Sequence, residues 1–229
     1  MTVLSRSNPS FFHGVEPVSG NKLRLLQSAT EFFPALVAAI DAAHDEIHLE
    51  TYIFNADPDT LVLRDALIGA ARRGVQVRVL IDGVGSRDFP ASWQDALKTA
   101  GVRVRMYRPL VGSGWRSNPR SLRRLHRKLV EVDARVAFIG GMNLISDFEP
   151  IRLAAPRLDY SVEVRGPLLI DIHQSVRHLW QLVTFTQLHR RGRTVPIEPS
   201  WPTDGHMRAA FVVRDNFPHR RHIERADLP

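Results

Sequence analysis

Cysteine is absent from the 229-residue chain, and lysine and tyrosine occur only three times each. Without Cys there can be no disulfide, no thiol nucleophile and no cysteine-based zinc or iron–sulfur site. Long apolar runs are missing too. The longest charge-free stretches, such as Phe32–Ile40 and Val136–Ser146, fall well short of the roughly 20 residues that cross a bilayer as a helix. The opening MTVLSRSNPSFFHG lacks the apolar segment of a secretory signal, so none is expected. Negative charge is the scarcer sign, with 24 Asp+Glu against 31 Lys+Arg and a net charge of +7. Such a surplus suits polyanions, whether phosphate esters, nucleic acid or an anionic membrane, without choosing among them. Nearly all the cations are Arg, so each Lys invites a functional question. Arg clamps phosphate through two nitrogens, whereas Lys acts as a compact point charge.

What is present is globular. Hydrophobic residues make up 44% and charged residues 24% of the chain, which argues against disorder or a coiled coil. The length allows one sizeable α/β domain, or one and a half smaller ones. Asn21–Leu26 reads as a strand, followed by a helix through Ala43 opened by Ser28 or Thr30 with Glu31. EIHLETYIF (46–54) alternates as a strand, placing His48, Glu50 and Tyr52 on one side. A helix stopped by Gly74, a strand to Asp82, a helix stopped by Gly101 and a strand to Tyr107 follow. Strands alternating with helices predict βαβ units and a largely parallel sheet. Beyond a Gly/Ser/Pro loop lie strands at 124–132 and 135–139, a strand at 159–164 and a helix from Gly166-Pro167 to about Leu188. The expected organisation is a polar leader (1–20), a domain (21–190), a Pro/Arg-rich linker (191–207) and the start of an incomplete second repeat (208–229).

The chemistry gathers in LHRKLVEVD and the segment after it. Strand alternation puts His126 and Lys128 on one face, Asp133 closes the strand, and Gly140-Gly141-Met142-Asn143 comes next, giving H-x-K-x4-D-x6-G-G-x-N. A His beside a fixed ammonium and amide donors suits attack on phosphorus, the imidazole acting as nucleophile while Lys and Asn stabilise the non-bridging oxygens. The paired glycines would let backbone approach a phosphate closely. The rival reading is a half-buried strand with a polar face. With this composition an accidental H-x-K-x4-D arises roughly once in a hundred chains, which weighs against it.

This run resembles the signature of the phospholipase D superfamily. The form with Gly141, where many members carry Ser, is similar to bacterial cardiolipin synthases. HLETYIF, VRVLIDGVGS, HRKLVEVD and VAFIGGMN follow that subgroup in order, so the likeness covers nearly the whole chain from about Asn21. The terminal AFVVRDNFPHRRHIERA resembles the opening of the family's second half. The resemblance implies a phospholipase D-like α/β/α sandwich with a mixed, largely parallel central sheet. It also implies two motifs, one per half, facing across a cleft. One His forms a phosphohistidine; the other protonates the departing alkoxide and then activates the acceptor hydroxyl. Carried over by position, His126, Lys128 and Asp133 form the catalytic motif, with Asp133 ordering hydrogen bonds rather than reacting. Lys128, Asn143, Gly140 and Gly141 surround the substrate phosphate. Glu50, in the family's E-x-Y strand, and Asp159, before the GP turn, take supporting roles, with Glu50 near the cleft and orienting His126. Neither metal nor cofactor is implied.

A second H-x-K-x4-D is missing: none of the other nine His has Lys two positions on. The implied activity is a phosphatidyl transfer between phosphatidylglycerol molecules through a phosphohistidine, incomplete in this half alone. The alternatives are a homodimeric nuclease or phosphodiesterase that pairs two copies of the motif, and a non-catalytic truncated remnant. The expected partners are phosphatidylglycerol, an anionic membrane surface, and a second motif-bearing half or a second copy. Peripheral attachment at the cytoplasmic face of the cell membrane is the matching location. A basic lip at Trp115, Arg116, Arg120, Arg123, Arg124 and Arg127 fits headgroups or a solvated loop equally. Nucleic acid is disfavoured, because stacking aromatics do not interleave with these cations. Gly83–Ser86 is a loop that can line the site. His173 and His178 have poor spacing for a shared metal and read as surface or packing residues.

Overall fold

The computed structural model describes residues 16–109, 124–146, 158–188 and 205–213. Along the chain these form β1 (Val18–Gln27), α1 (Ser28–Asp41), β2 (Glu46–Thr51), α2 (Pro58–Arg72), β3 (Gln76–Asp82), α3 (Ala91–Thr99), β4 (Arg103–Tyr107), β5 (Leu129–Val132), β6 (Val136–Gly140), β7 (Tyr160–Arg165), α4 (Leu169–Leu188) and β8 (Met207–Ala209). The glycine stops operate as read, but α1 does not start as read: its N-cap is Gln27, with no side-chain cap, and Ser28 (φ 62°) is already its first residue. Asp57 and Thr60 close a capping box at the start of α2, with Pro58 at its first turn. Gly74 (φ 96°) and Gly101 (φ 98°) follow α2 and α3 in the left-handed conformation that ends a helix. Glu31 reaches back to Gln27 N at 2.8 Å.

The strands make one eight-stranded sheet in the order β4-β3-β2-β5-β6-β7-β1-β8. The α/β architecture is as expected, but the sheet is not largely parallel. Only β2–β3 and β3–β4 run parallel, and the other five pairings are antiparallel. The reason is connection length. Helices α2 and α3 supply the long crossovers that parallel neighbours need, whereas a tight turn can only return the chain antiparallel. Such a turn joins β5 to β6: Asp133 (φ 52°) and Ala134 (φ 50°) are both left-handed, and Arg135 N donates to Val132 O at 2.9 Å.

The sheet is covered on both faces. On one, α1 and α2 pack Phe32, Phe33, Leu36, Leu63 and Leu67 onto Ile47, Leu49, Val79, Val130 and Phe138. On the other, α4 packs Leu169, Ile172 and Val176 onto Leu129, Ala137 and Val164. The α4 face of β2 is ionisable instead, with Glu46, His48 and Glu50 all buried. Near the described end of the chain, β8 pairs with β1 as an edge of this sheet. β1 starts inside the segment read as leader, and most of 191–207 and of 208–229 lies outside the described residues. No helix among the described residues is long and apolar enough to cross a membrane.

Candidate active site

The C-terminal ends of β2 and β3, the N-terminal end of β5 and the far end of β6 meet at one edge of the sheet. His126 and Lys128 reach it from an extended coil, since regular pairing in β5 begins only at Leu129. The reading of both as strand residues is therefore corrected. Gly140 N still donates to Lys128 O at 3.2 Å, so the coil runs close to the ladder and both side chains stay together. Lys128 Nζ is 3.3 Å from His126 Nε2 and donates to His126 O at 3.1 Å. An ammonium has no acceptor, so the Nε2 in this contact bears a lone pair. Desolvation and then the Lys128 cation hold His126 below the usual histidine value, with Asp82 opposing them. Lys128 is lowered as well, chiefly by desolvation, while Asp159 pulls the other way. The result is an imidazole whose protonation is disfavoured, beside an ammonium.

The loop after β6 is tied to the end of β2. Leu144 N donates to Ile53 O at 3.0 Å, Asn55 N donates to Leu144 O at 2.9 Å, and Ser146 N donates to the Asp57 carboxylate at 2.7 Å. Asn143 is held in the same place, its Oδ1 accepting from Ile53 N at 3.2 Å. With the amide oxygen committed to backbone, what Asn143 offers a substrate is its NH2 end. Gly140 and Gly141 meet a packing need of their own. A Cβ at Gly140 would meet Tyr160 O and Ser161, and one at Gly141 would meet the Asp159 carboxylate. The missing side chains let β6 lie against the start of β7.

Glu50 lines one cleft with Lys128, Met142, Leu144 and Ser161. Its partner is Arg127, whose guanidinium donates at 3.2 Å. The orienting contact expected with His126 is not among those seen. Burial pushes Glu50 up to about 7, although Arg127 works against this. Asp133 is not in the site. It caps the start of β2 at the opposite edge of the sheet, accepting from His44 N, Asp45 N and Glu46 N at 2.8, 2.9 and 2.8 Å. Of the basic lip, only Arg124 and Arg127 fall within the described residues.

Two residues outside the expected set hold His126 or the residue before it. The Tyr52 ring centroid is 5.3 Å from that of His126, and Lys128 Nζ stands 5.6 Å over the Tyr52 ring. Asp82, at the end of β3, accepts from Leu125 N at 2.7 Å. Tyr52 was legible as the third residue of E-x-Y; for Asp82 the signal was an acidic residue closing a buried strand before a glycine loop.

Away from the site, Glu46, His48 and Glu131 present ligand atoms within 4.8 Å of one another. The centre is already served: Arg78 NH1 lies 2.5 Å from Glu46 Oε2 and 3.1 Å from His48 Nε2. The guanidinium provides the positive charge that a metal would bring. His173, read as a surface or packing residue, is buried against this network, with Nδ1 3.4 Å from Glu131 and Nε2 3.6 Å from Glu46. His178 is exposed.

The paired His and Lys on this fold define a phospholipase D-like domain. Residues 36–147 match the family model "Cardiolipin synthase, PLD-like domain". The chain is 38% identical over 207 residues to cardiolipin synthase B of Escherichia coli (strain K12), covering 90% of this chain and 49% of that protein. It is 33% identical over 170 residues to cardiolipin synthase A of Pseudomonas putida (strain GB-1), covering 73% and 35% respectively. Among solved structures, Nuc from Salmonella typhimurium, a phospholipase D family member, aligns with a TM-score of 0.51 at 21% identity over 70% of this chain and 94% of that one. NucT from Helicobacter pylori aligns with a TM-score of 0.52 at 14% identity over 70% and 96%. These two share the fold. The chain belongs to the phospholipase D superfamily, and the two relatives compared by sequence are cardiolipin synthases. It spans about half the length of the curated relatives it matches.

Proposed function

We propose that this domain contributes one half of a phosphatidyltransferase site that makes cardiolipin from two molecules of phosphatidylglycerol. The observation that carries the reading is the His126–Lys128 pair: an imidazole held below the usual histidine value, its Nε2 3.3 Å from the Lys128 ammonium. Nε2 attacks the phosphorus of one phosphatidylglycerol, and the bond to the glycerol headgroup breaks. The departing alkoxide takes a proton from the histidine of a second motif, leaving a phosphohistidine on His126. That second histidine then removes the proton from a glycerol hydroxyl of another phosphatidylglycerol, whose oxygen displaces His126 and forms cardiolipin. Lys128 and the NH2 end of Asn143 stabilise charge on the non-bridging oxygens. Asp159 supports Lys128 electrostatically, and Glu50 shapes the adjoining cleft. The second motif comes from a further half or a second copy, and the reaction takes place at the cytoplasmic membrane surface. The boundaries 21–190 and 208–229 are the matching division into a first repeat and the opening of a second.

Incubated with phosphatidylglycerol vesicles, the protein paired with a second H-x-K-x4-D half should yield cardiolipin and glycerol in equal amounts. His126→Asn should abolish both. Transfer that survives this substitution overturns the assignment, as does an inert wild-type pair. Metal-independent DNA cleavage by a homodimer, without transfer, would point to the nuclease alternative.

A further inference from the structure

The stretch 124–128 that carries His126 has no regular secondary structure of its own, yet it is held at a fixed place. Asp82 does the holding. Its side chain is fully buried. Oδ2 accepts from Leu125 N at 2.7 Å, and Oδ1 accepts from Val84 N at 2.8 Å and Gly85 N at 3.1 Å. Arg124 NH1 stands 3.5 Å from Oδ1. A carboxylate shared among backbone N–H groups is a strong, directional anchor, and Leu125 immediately precedes His126. The same loop grips the other side of the imidazole. Ser86 Oγ donates to Tyr52 O at 2.9 Å and accepts from Phe54 N at 3.0 Å. Gly85 sits so close that a Cβ there would run into Tyr52 O and the Tyr52 ring. That ring packs on His126.

We infer that the Asp82–Ser86 loop is the positioning element of His126, and that Asp82 both anchors its backbone and supplies a negative charge set against Lys128. The inference rests on reading His126 as the nucleophile. The groups acting on the imidazole are Lys128 beside it, Asp82 from the end of β3 and the Tyr52 ring from the end of β2, while Arg124 from the same coil is directed to Asp82 and the Arg108 carbonyl. Arg127 is turned toward Glu50, and Asp159 acts on Lys128. Asp82 therefore opposes the cations around the ring.

Asp82→Asn removes the charge and one of the two acceptor oxygens while keeping the shape. The His126 titration midpoint, followed by NMR, should fall relative to wild type. In the phosphatidyl transfer assay kcat should drop about 100-fold, with KM within about twofold, as displacement of a reacting group by about 1 Å does. Ser86→Ala leaves Asp82 in place and should lower kcat about 10-fold without moving the His126 midpoint. A folded Asp82→Asn protein with wild-type midpoint and kcat overturns the inference. If that variant fails to fold, wild-type kcat in Ser86→Ala overturns it instead. The NMR midpoint needs no turnover, so it stands apart from the transferase reading, which fails separately if His126→Asn retains activity.

Discussion

Asp133 and His126 belong to one sequence motif, yet they sit at opposite ends of β5, roughly 20 Å apart along the strand. His126 precedes the strand at the site edge. Asp133 follows it and receives three backbone N–H groups from residues 44–46. Asp133→Ala strips those donors of their acceptor and should cost about 2–4 kcal/mol, read by urea unfolding. The protein that remains folded should keep kcat within about twofold. A loss of turnover out of proportion to the loss of folded protein would return Asp133 to the chemistry.

Glu50 links stability to pH with a sign opposite to that of most carboxylates. Its folded value of about 7 lies above the ordinary 4.5, so the folded state binds the proton more tightly than the unfolded chain. The stability linked to Glu50 is fully present below about pH 4.5 and is lost as pH rises through 7, by up to about 3 kcal/mol. Glu50→Gln should flatten that decline and melt higher than wild type at pH 8. Urea midpoints measured between pH 5 and pH 8 provide the check. A wild-type-minus-Glu50→Gln difference that grows or stays constant from pH 5 to pH 8 would reverse the assignment.

The first half of the fold was legible because its signals are local: the glycine stops at 74 and 101, and the alternation of β2. The sense of the sheet was not. A β-α-β rhythm reports the direction of β2, β3 and β4 only, and says nothing of strands joined by turns or by long loops. Within the site, His126, Lys128 and Asn143 were visible as a spaced motif. Asp82 and Tyr52 come from other strands, so no spacing along the chain could pair them with His126. Asp133 orders hydrogen bonds as expected, but away from the site, because proximity in sequence along an extended strand means separation in space. His173 became a buried partner of Glu46 and Glu131 only once α4 crossed the sheet.

Arg78 should be among the most costly residues to replace. Burial raises Glu46, but hydrogen bonding and charge from His48 and Arg78 bring it down to about 2. Because that folded value lies below the ordinary 4.5, the stability linked to Glu46 is present above pH 4.5 and lost as pH falls toward 2. Arg78→Leu leaves the Glu46 carboxylate buried without its guanidinium and should destabilise by about 3–5 kcal/mol at pH 7. The gap from wild type should narrow on acidification as Glu46 takes up a proton. Thermal melts at pH 7 and pH 4 report both effects. An unchanged gap would mean that Glu46 is not the group left unpaired.

The two adjacent glycines should respond differently to the same methyl group. A Cβ at Gly140 meets backbone, Tyr160 O and the Ser161 Cα, whereas at Gly141 it meets only the Asp159 side chain. Backbone cannot step aside without parting β6 from β7, so Gly140→Ala should cost about 2–4 kcal/mol. The Asp159 carboxylate can swing away, so Gly141→Ala should cost about 1 kcal/mol or less. That movement takes from Lys128 the anion that raises its pKa. The alkaline limb of kcat/KM for transfer should then shift to lower pH in Gly141→Ala. Asp159→Asn should reproduce the shift without any steric change, because it removes the same charge. If Gly141→Ala moves the limb and Asp159→Asn does not, the glycine acts through backbone geometry rather than through Asp159.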